Sequence, residues 1–187
     1  MDYIRLIDND IDHELLCEQV TGLLNQYQLH DEPQISLTSI SGDNDWYCTV
    51  GKLHQLPHPE RFYANINRAL HDSYIAELLN RYKDYYRWRL LRIESRSCYS
   101  IHSDRNAGDK LNVRLHIPVE TNHKAFMCFF QERPQSGKDI LVRHEHLEAG
   151  NSYKVNTTGL HTAINYGDTC RYHIVGVKYE NSNNWNN

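Results

Sequence analysis

The chain has 187 residues, 40 % hydrophobic and 24 % charged, which suits one globular domain and argues against both a disordered chain and two ordinary domains. A net charge of −4 gives no general attraction to nucleic acid or an anionic membrane, and no apolar run approaches the roughly 18–20 residues that span a bilayer. Five scattered cysteines without a Cys-x-x-Cys pair, and a start at Met1–Arg5 that lacks signal-peptide order, point to reduced thiols in a cytoplasmic protein.

In chain order, residues 11–27 read as an amphipathic helix. Ile11, Leu15, Leu16, Val20, Leu23 and Leu24 form one stripe, with Asp10 or Asp12 as N-cap. Ile35–Ile40 and Trp46–Val50 flank a turn-rich Ser41–Asp45 and predict a β-hairpin. A second helical region is expected over about 60–84, with Pro59 at its start. From residue 86 the texture changes to short β-branched and aromatic runs. Eight strands are expected, at about 88–94, 98–103, 111–119, 124–131, 139–146, 152–156, 160–166 and 169–179. Breaks fall at 105–110, 121–123, 134–138, 150–151, 158–159 and 167–168, and the tail from 180 to 187 is polar. Eight short strands with turns between them predict a mainly β fold, a sandwich or double-stranded β-helix (jelly roll), with the N-terminal helices packed outside. The whole reads as one domain, with a helical and hairpin part over 1–85 and the core over 86–179.

Residues two apart on a strand share a face. On Leu111–Val119 the odd positions are apolar, while Asn112, Arg114, His116 and Pro118 make the other face. By pattern alone that second face reads as half exposed. His102 and Asp104 project together, as do His161, Ala163 and Asn165, and Arg171 and His173 share a side with Val175 and Val177. Three strands therefore offer polar sets that can point inward.

Twelve histidines are many for a chain of this size, and histidine is the commonest metal ligand. Two histidines and a carboxylate can hold a ferrous ion on one face and leave positions open for a cosubstrate and oxygen. His102-Ser103-Asp104 supplies two such ligands from one strand end, and His161 a third from a later strand. A His-x-Asp tripeptide alone is expected about once by chance in such a composition. Its company is more specific: ten residues after His161 stands Arg171, a fixed cation suited to bidentate carboxylate binding.

With these motifs in this strand order, residues 86–179 resemble the Fe(II)/2-oxoglutarate-dependent oxygenases, and within them the aspartyl/asparaginyl β-hydroxylase branch. The stretches carrying the likeness are Ile101–Asp104, Val113–Val119, and His161–Asn165 with Arg171. The resemblance implies iron ligation by His102, Asp104 and His161, which form the catalytic centre. It implies that Arg171 holds the distal 2-oxoglutarate carboxylate and that Arg114 and His116 stand near its other end. It also implies a dioxygenase that uses O2 and 2-oxoglutarate to hydroxylate a C–H bond, with release of succinate and CO2. The substrate would be an amino acid, an amino-acid-like small acid, or an Asp or Asn side chain in a peptide. Related halogenases replace the carboxylate ligand with Ala or Gly, whereas Asp104 fills that position here. Members commonly carry a hydroxyl before the first ligand; Arg89-Leu90-Leu91 has none, which leaves Tyr99 or Ser100.

Other signals read as ordinary surface. His144-Glu145-His146 resembles a cupin metal motif but lacks its well-spaced glutamate and reads as a solvated strand end. The basic and aromatic run over 81–96 has the composition of a single-strand nucleic-acid platform. Asp84 and Glu94 dilute it, and a solvated helix–strand junction fits better, with one of its arginines, or Arg143, available to an anionic substrate. A reading from a different class remains: a non-catalytic, metal-binding, cupin-like jelly roll that serves as a binding or sensor domain.

Overall fold

The computed structural model describes residues 3–51, 56–104, 110–133 and 138–181. Of the breaks expected at 105–110 and 134–138, residues 105–109 and 134–137 lie outside the described residues, as does the tail from 182, while Lys110 and Lys138 begin strands. In chain order the elements are β1 (Ile4–Asp8), α1 (His13–Tyr27), β2 (Gln34–Ser36), β3 (Thr38–Ser39), β4 (Asn65–Ile66) and α2 (Tyr74–Arg81). There follow β5 (Tyr86–Ile93), β6 (Ser97–Cys98), β7 (Lys110–Glu120), β8 (Ala125–Arg133), β9 (Lys138–Glu145), β10 (Ser152–Asn156), β11 (His161–Asn165) and β12 (Arg171–Asn181).

The first helix forms where its apolar stripe predicts. Asp12 is the N-cap, accepting from Leu15 N at 3.0 Å, and Leu16, Val20, Leu23 and Leu24 are buried. The second helical region is shorter than expected. Single 3-10 turns form at Glu60–Phe62 and Arg68–Leu70, and only α2 is α-helical, capped by Ser73 Oγ accepting from Ala76 N. The stretch between is diverted because Asn65 and Ile66 pair with Ser39 and Thr38, and buried Asn67 donates to Ser36 O at 2.9 Å. The predicted 35–50 hairpin does not form. Gln34–Ser36 pairs with β5 instead, and residues 46–49 are turns, tied down by Ser36 N donating to Trp46 O at 2.7 Å. The sequence reading also misses β1, an edge strand that pairs antiparallel with β10.

The eight core strands divide four and four between two antiparallel sheets, alternating except that β8 and β9 share one. One runs β1-β10-β7-β12-β5-β2 and the other β6-β11-β8-β9. This is a double-stranded β-helix, with β1 and β2 added at the edges of the larger sheet. The outer face of that sheet carries Trp88, Leu90, Leu115, Ile117, Val119 and Ile174, which form one core with the buried stripes of α1 and α2. Each such side chain contributes roughly 1.5–3 kcal/mol when buried. Gly176 is required there, because a Cβ on it would meet the Trp88 ring at 2.8 Å. Ile93, Met127, Phe129, Val155 and Ala163 form a second, smaller core. The polar positions of β5, β7, β11 and β12 turn to a cleft between the sheets. No helix among the described residues is long and apolar enough to cross a membrane.

Candidate metal centre

Past Cys98 the chain keeps running antiparallel to β11. Tyr99 N donates to Ala163 O, and His102 and His161 form a bridge in which each N–H meets the other's carbonyl, at 3.0 and 2.8 Å. This pairing sets the two imidazoles side by side, with ring centroids 4.4 Å apart. Asp104 follows, its N–H donating to Thr157 O at 2.9 Å. One ligand atom each from His102, Asp104 and His161 lies within 4.8 Å of the other two, the one such cluster of three among the described residues.

The chemistry of these donors fits a divalent ion. The Nδ1 of His102 lies 2.8 Å from Ser100 O, and that of His161 lies 2.9 Å from Gly159 O. A carbonyl only accepts, so each Nδ1 carries the proton and each Nε2 lone pair is free to ligate. Burial holds the His161 pKa below its ordinary value despite the nearby Asp104, so the ring is neutral at pH 7. His102 is exposed and His161 buried, which puts the cluster at the mouth of a cleft of about 630 Å³.

Behind Asp104 stands buried Arg114, whose Nε donates to Asp104 Oδ2 at 2.8 Å. Its Nη1 lies 3.6 Å from Glu60 Oε1, and Glu60 also binds buried Arg87 and accepts from Tyr179 Oη at 2.6 Å. The Arg114–His116 face is therefore interior, not half exposed, with both residues only 5 % exposed. Arg114 is ion-paired with two carboxylates, although its Nη1, like His116 Nδ1, is buried without a hydrogen-bond partner. Burial, with Arg171 and Arg114 nearby, keeps His116 neutral.

Arg171 is 3 % exposed. Its guanidinium meets the soft Met127 Sδ at 3.9 Å and His173 Nδ1 at 3.1 Å, and it forms no ion pair with a carboxylate among the described residues. Burial lowers its pKa to about 10. Tyr99 and Ser100 also line the cleft, Tyr99 with its hydroxyl donating to Arg92 O at 3.1 Å.

The sequence reading missed Glu60, and it placed Arg87 and Arg89 in a solvated helix–strand junction with one arginine available to an anionic substrate. The 81–96 run is solvated at Arg81 and Arg96, but Arg87 and Arg89 are buried in the cleft, 2 % and 7 % exposed. Their alternation with Trp88 and Leu90 was the available signal. Arg87 sits at φ 50° beside the irregularity between Val175 and Val177, which aims its guanidinium at Glu60 and the carbonyls of Thr49 and Gly51. The His144–His146 motif assembles no ligand cluster among the described residues: His144 packs edge-on against Phe126, and His146 Nδ1 lies 2.9 Å from Ala125 O. Arg143 pairs with Glu145.

No protein-family profile and no curated protein matches the sequence. Solved structures do share its fold. The non-heme alpha-ketoglutarate-dependent epimerase SnoN from nogalamycin biosynthesis superposes with a TM-score of 0.52 at 13% identity, over 97% of this chain and 79% of that one. A prolyl hydroxylase from Trichoplax adhaerens, solved with a hypoxia-inducible-factor peptide fragment, gives 0.51 at 12% identity, over 98% and 86%. EvdMO1 gives 0.55 at 12% identity, over 97% of this chain and 48% of its own. The chain thus spans about half the length of some proteins it matches. At these identities the likeness establishes the jelly-roll fold, one that Fe(II)/2-oxoglutarate-dependent oxygenases share.

Proposed function

We propose that this protein is an Fe(II)- and 2-oxoglutarate-dependent dioxygenase of the aspartyl/asparaginyl β-hydroxylase type. It hydroxylates an unactivated C–H bond of an amino acid or amino-acid-like small acid, or of an Asp or Asn side chain in a peptide, and releases succinate and CO2. One observation carries this reading: the His102–Asp104–His161 cluster opens into the same cleft as Arg171, a buried guanidinium that meets no carboxylate among the described residues. A cation so placed asks for an anion from outside.

His102, Asp104 and His161 would hold the iron, which supplies the O2 chemistry that couples decarboxylation of 2-oxoglutarate to C–H oxidation. Arg171 binds the distal carboxylate of 2-oxoglutarate through its planar fork. His116, neutral and with a free ring nitrogen, serves the other carboxylate end. Arg114 holds the Asp104 carboxylate. Met127, Ala163 and Val175 supply the apolar part of the lining, which limits water around the reacting centre. The five free thiols support a reducing, cytoplasmic setting.

Anaerobic addition of ferrous ion and 2-oxoglutarate tests the assignment. Wild-type protein should develop the charge-transfer absorption of chelated 2-oxoglutarate, and His102→Ala and His161→Ala should not. Absence of the band from wild type, or its survival in both variants, contradicts the ligand set.

A further inference from the structure

The cleft holds a second buried guanidinium with no counter-ion among the described residues. Arg89, on β5, is 7 % exposed. Its Nη1 donates to Gln34 Oε1 at 3.0 Å, while its Nε is buried without a partner. Its neighbours differ in this respect. Arg87 is matched by Glu60 and two backbone carbonyls, and Arg114 by Asp104 and Glu60. Burial pulls the Arg89 pKa well below its ordinary value, and Arg87 and Arg114 add to the effect.

Arg89 is also separate from the cation assigned to 2-oxoglutarate. In register it lies beside Val175, which lies beside His116. Arg171 is four residues away along β12, roughly 13 Å of strand. The charge count points the same way. Among the described residues four arginines line the cleft, and two carboxylates, Glu60 and Asp104, contact them, an excess of two positive charges within that set. A divalent metal and dianionic 2-oxoglutarate cancel each other, so the loaded cleft keeps that excess. Buried charge of one sign is retained only where a counter-ion arrives.

We infer that Arg89, with Gln34 beside it, anchors a carboxylate of the primary substrate, a small free carboxylic acid that binds together with 2-oxoglutarate. This rests on the oxygenase reading for what the second acid is, and on Arg89 alone for where it binds. The cleft volume of about 630 Å³ lies in the range of small-molecule sites. A guanidinium fork favours a planar carboxylate over a neutral amide, because the two N–H bonds to it are charge-assisted.

The test loads wild type, Arg89→Gln and Arg89→Lys with Mn(II) and saturating 2-oxoglutarate. Each is titrated by calorimetry with a panel of L-amino acids and the carboxamide of each. At least one acid should bind, with its carboxamide at least about tenfold weaker. Arg89→Gln should weaken that acid by about 10- to 150-fold, and Arg89→Lys should recover part of the loss. Because Arg89→Lys keeps the charge, it stays informative if the glutamine variant folds poorly. Carboxamides that bind as well as acids, an unchanged affinity in Arg89→Gln, or no binding by any acid of the panel would overturn the proposal. Failure of wild type to take up Mn(II) and 2-oxoglutarate sinks the oxygenase reading instead, and the same titration on metal-free protein then judges Arg89 alone.

Discussion

The guanidinium of Arg114 holds the carboxylate of Asp104 from behind, Nε to Oδ2 at 2.8 Å. Burial works to raise the Asp104 pKa, but the Arg114 charge and hydrogen bond, helped by His161 and Thr157, overcome it and hold the carboxyl well below the usual range. Asp104 is thus ionised and fixed before any metal arrives. Arg114→Gln removes that orientation, and Mn(II) affinity should fall about 10- to 100-fold, the usual effect of losing a group that positions a ligand. Arg114→Lys should be intermediate. A gain in affinity for Arg114→Gln would mean that Arg114 competes with the metal for Asp104.

Arg171 should matter for the cosubstrate and little for the metal. A charge-assisted contact to a carboxylate is worth roughly 1.5–3 kcal/mol. Arg171→Ala should therefore weaken 2-oxoglutarate by about 10- to 150-fold in calorimetry on Mn(II)-loaded protein, with Mn(II) affinity nearly unchanged. Arg171→Lys should recover part of it, since an ammonium cannot make two parallel bonds. Unchanged 2-oxoglutarate binding in Arg171→Ala would move the anchor elsewhere in the cleft.

The eight strands after residue 86 were legible because their apolar and polar residues alternate with turn clusters between them. His102, Asp104, His161 and Arg171 could be singled out as candidates because two short spacings, His102-x-Asp104 and the ten residues from His161 to Arg171, stand in the chain itself. The burial of Arg87 and Arg89 was not. Their rescue by Glu60, Thr49, Gly51 and Gln34 comes from segments 27 to 55 residues away in sequence, which no local pattern reports. The failed hairpin has a similar cause. Residues 34–36 have strand chemistry, but β5 supplies the partner in place of the nearby 46–50 segment.

Glu60 ties the acid side of this network together. Burial works to raise its pKa, yet Arg114, the Tyr179 hydroxyl and Arg87 together bring it below its ordinary value. A carboxyl lowered by folding adds stability above its unfolded pKa of about 4.3, and that stability is lost as pH falls through the folded value. Glu60→Gln leaves Arg87 and Arg114 short of a counter-charge and should cost about 3 kcal/mol at pH 7. In urea unfolding the gap between wild type and Glu60→Gln should be full above about pH 5 and narrow as the pH falls below the unfolded pKa of about 4.3. A gap independent of pH would show that the Glu60 charge is not what stabilises the cluster.

The central claim is that the cleft turns over 2-oxoglutarate, and succinate release measures this directly. Wild-type protein incubated in air with ferrous ion, 2-oxoglutarate and an L-amino-acid panel should release succinate and CO2 in equal amounts. At least one amino acid should raise the rate, and His161→Ala should fall to the protein-free background. If wild type binds ferrous ion and 2-oxoglutarate yet stays at the His161→Ala background both across the panel and with Asp- and Asn-containing peptides, the jelly roll is a metal-binding module and the oxygenase account is contradicted.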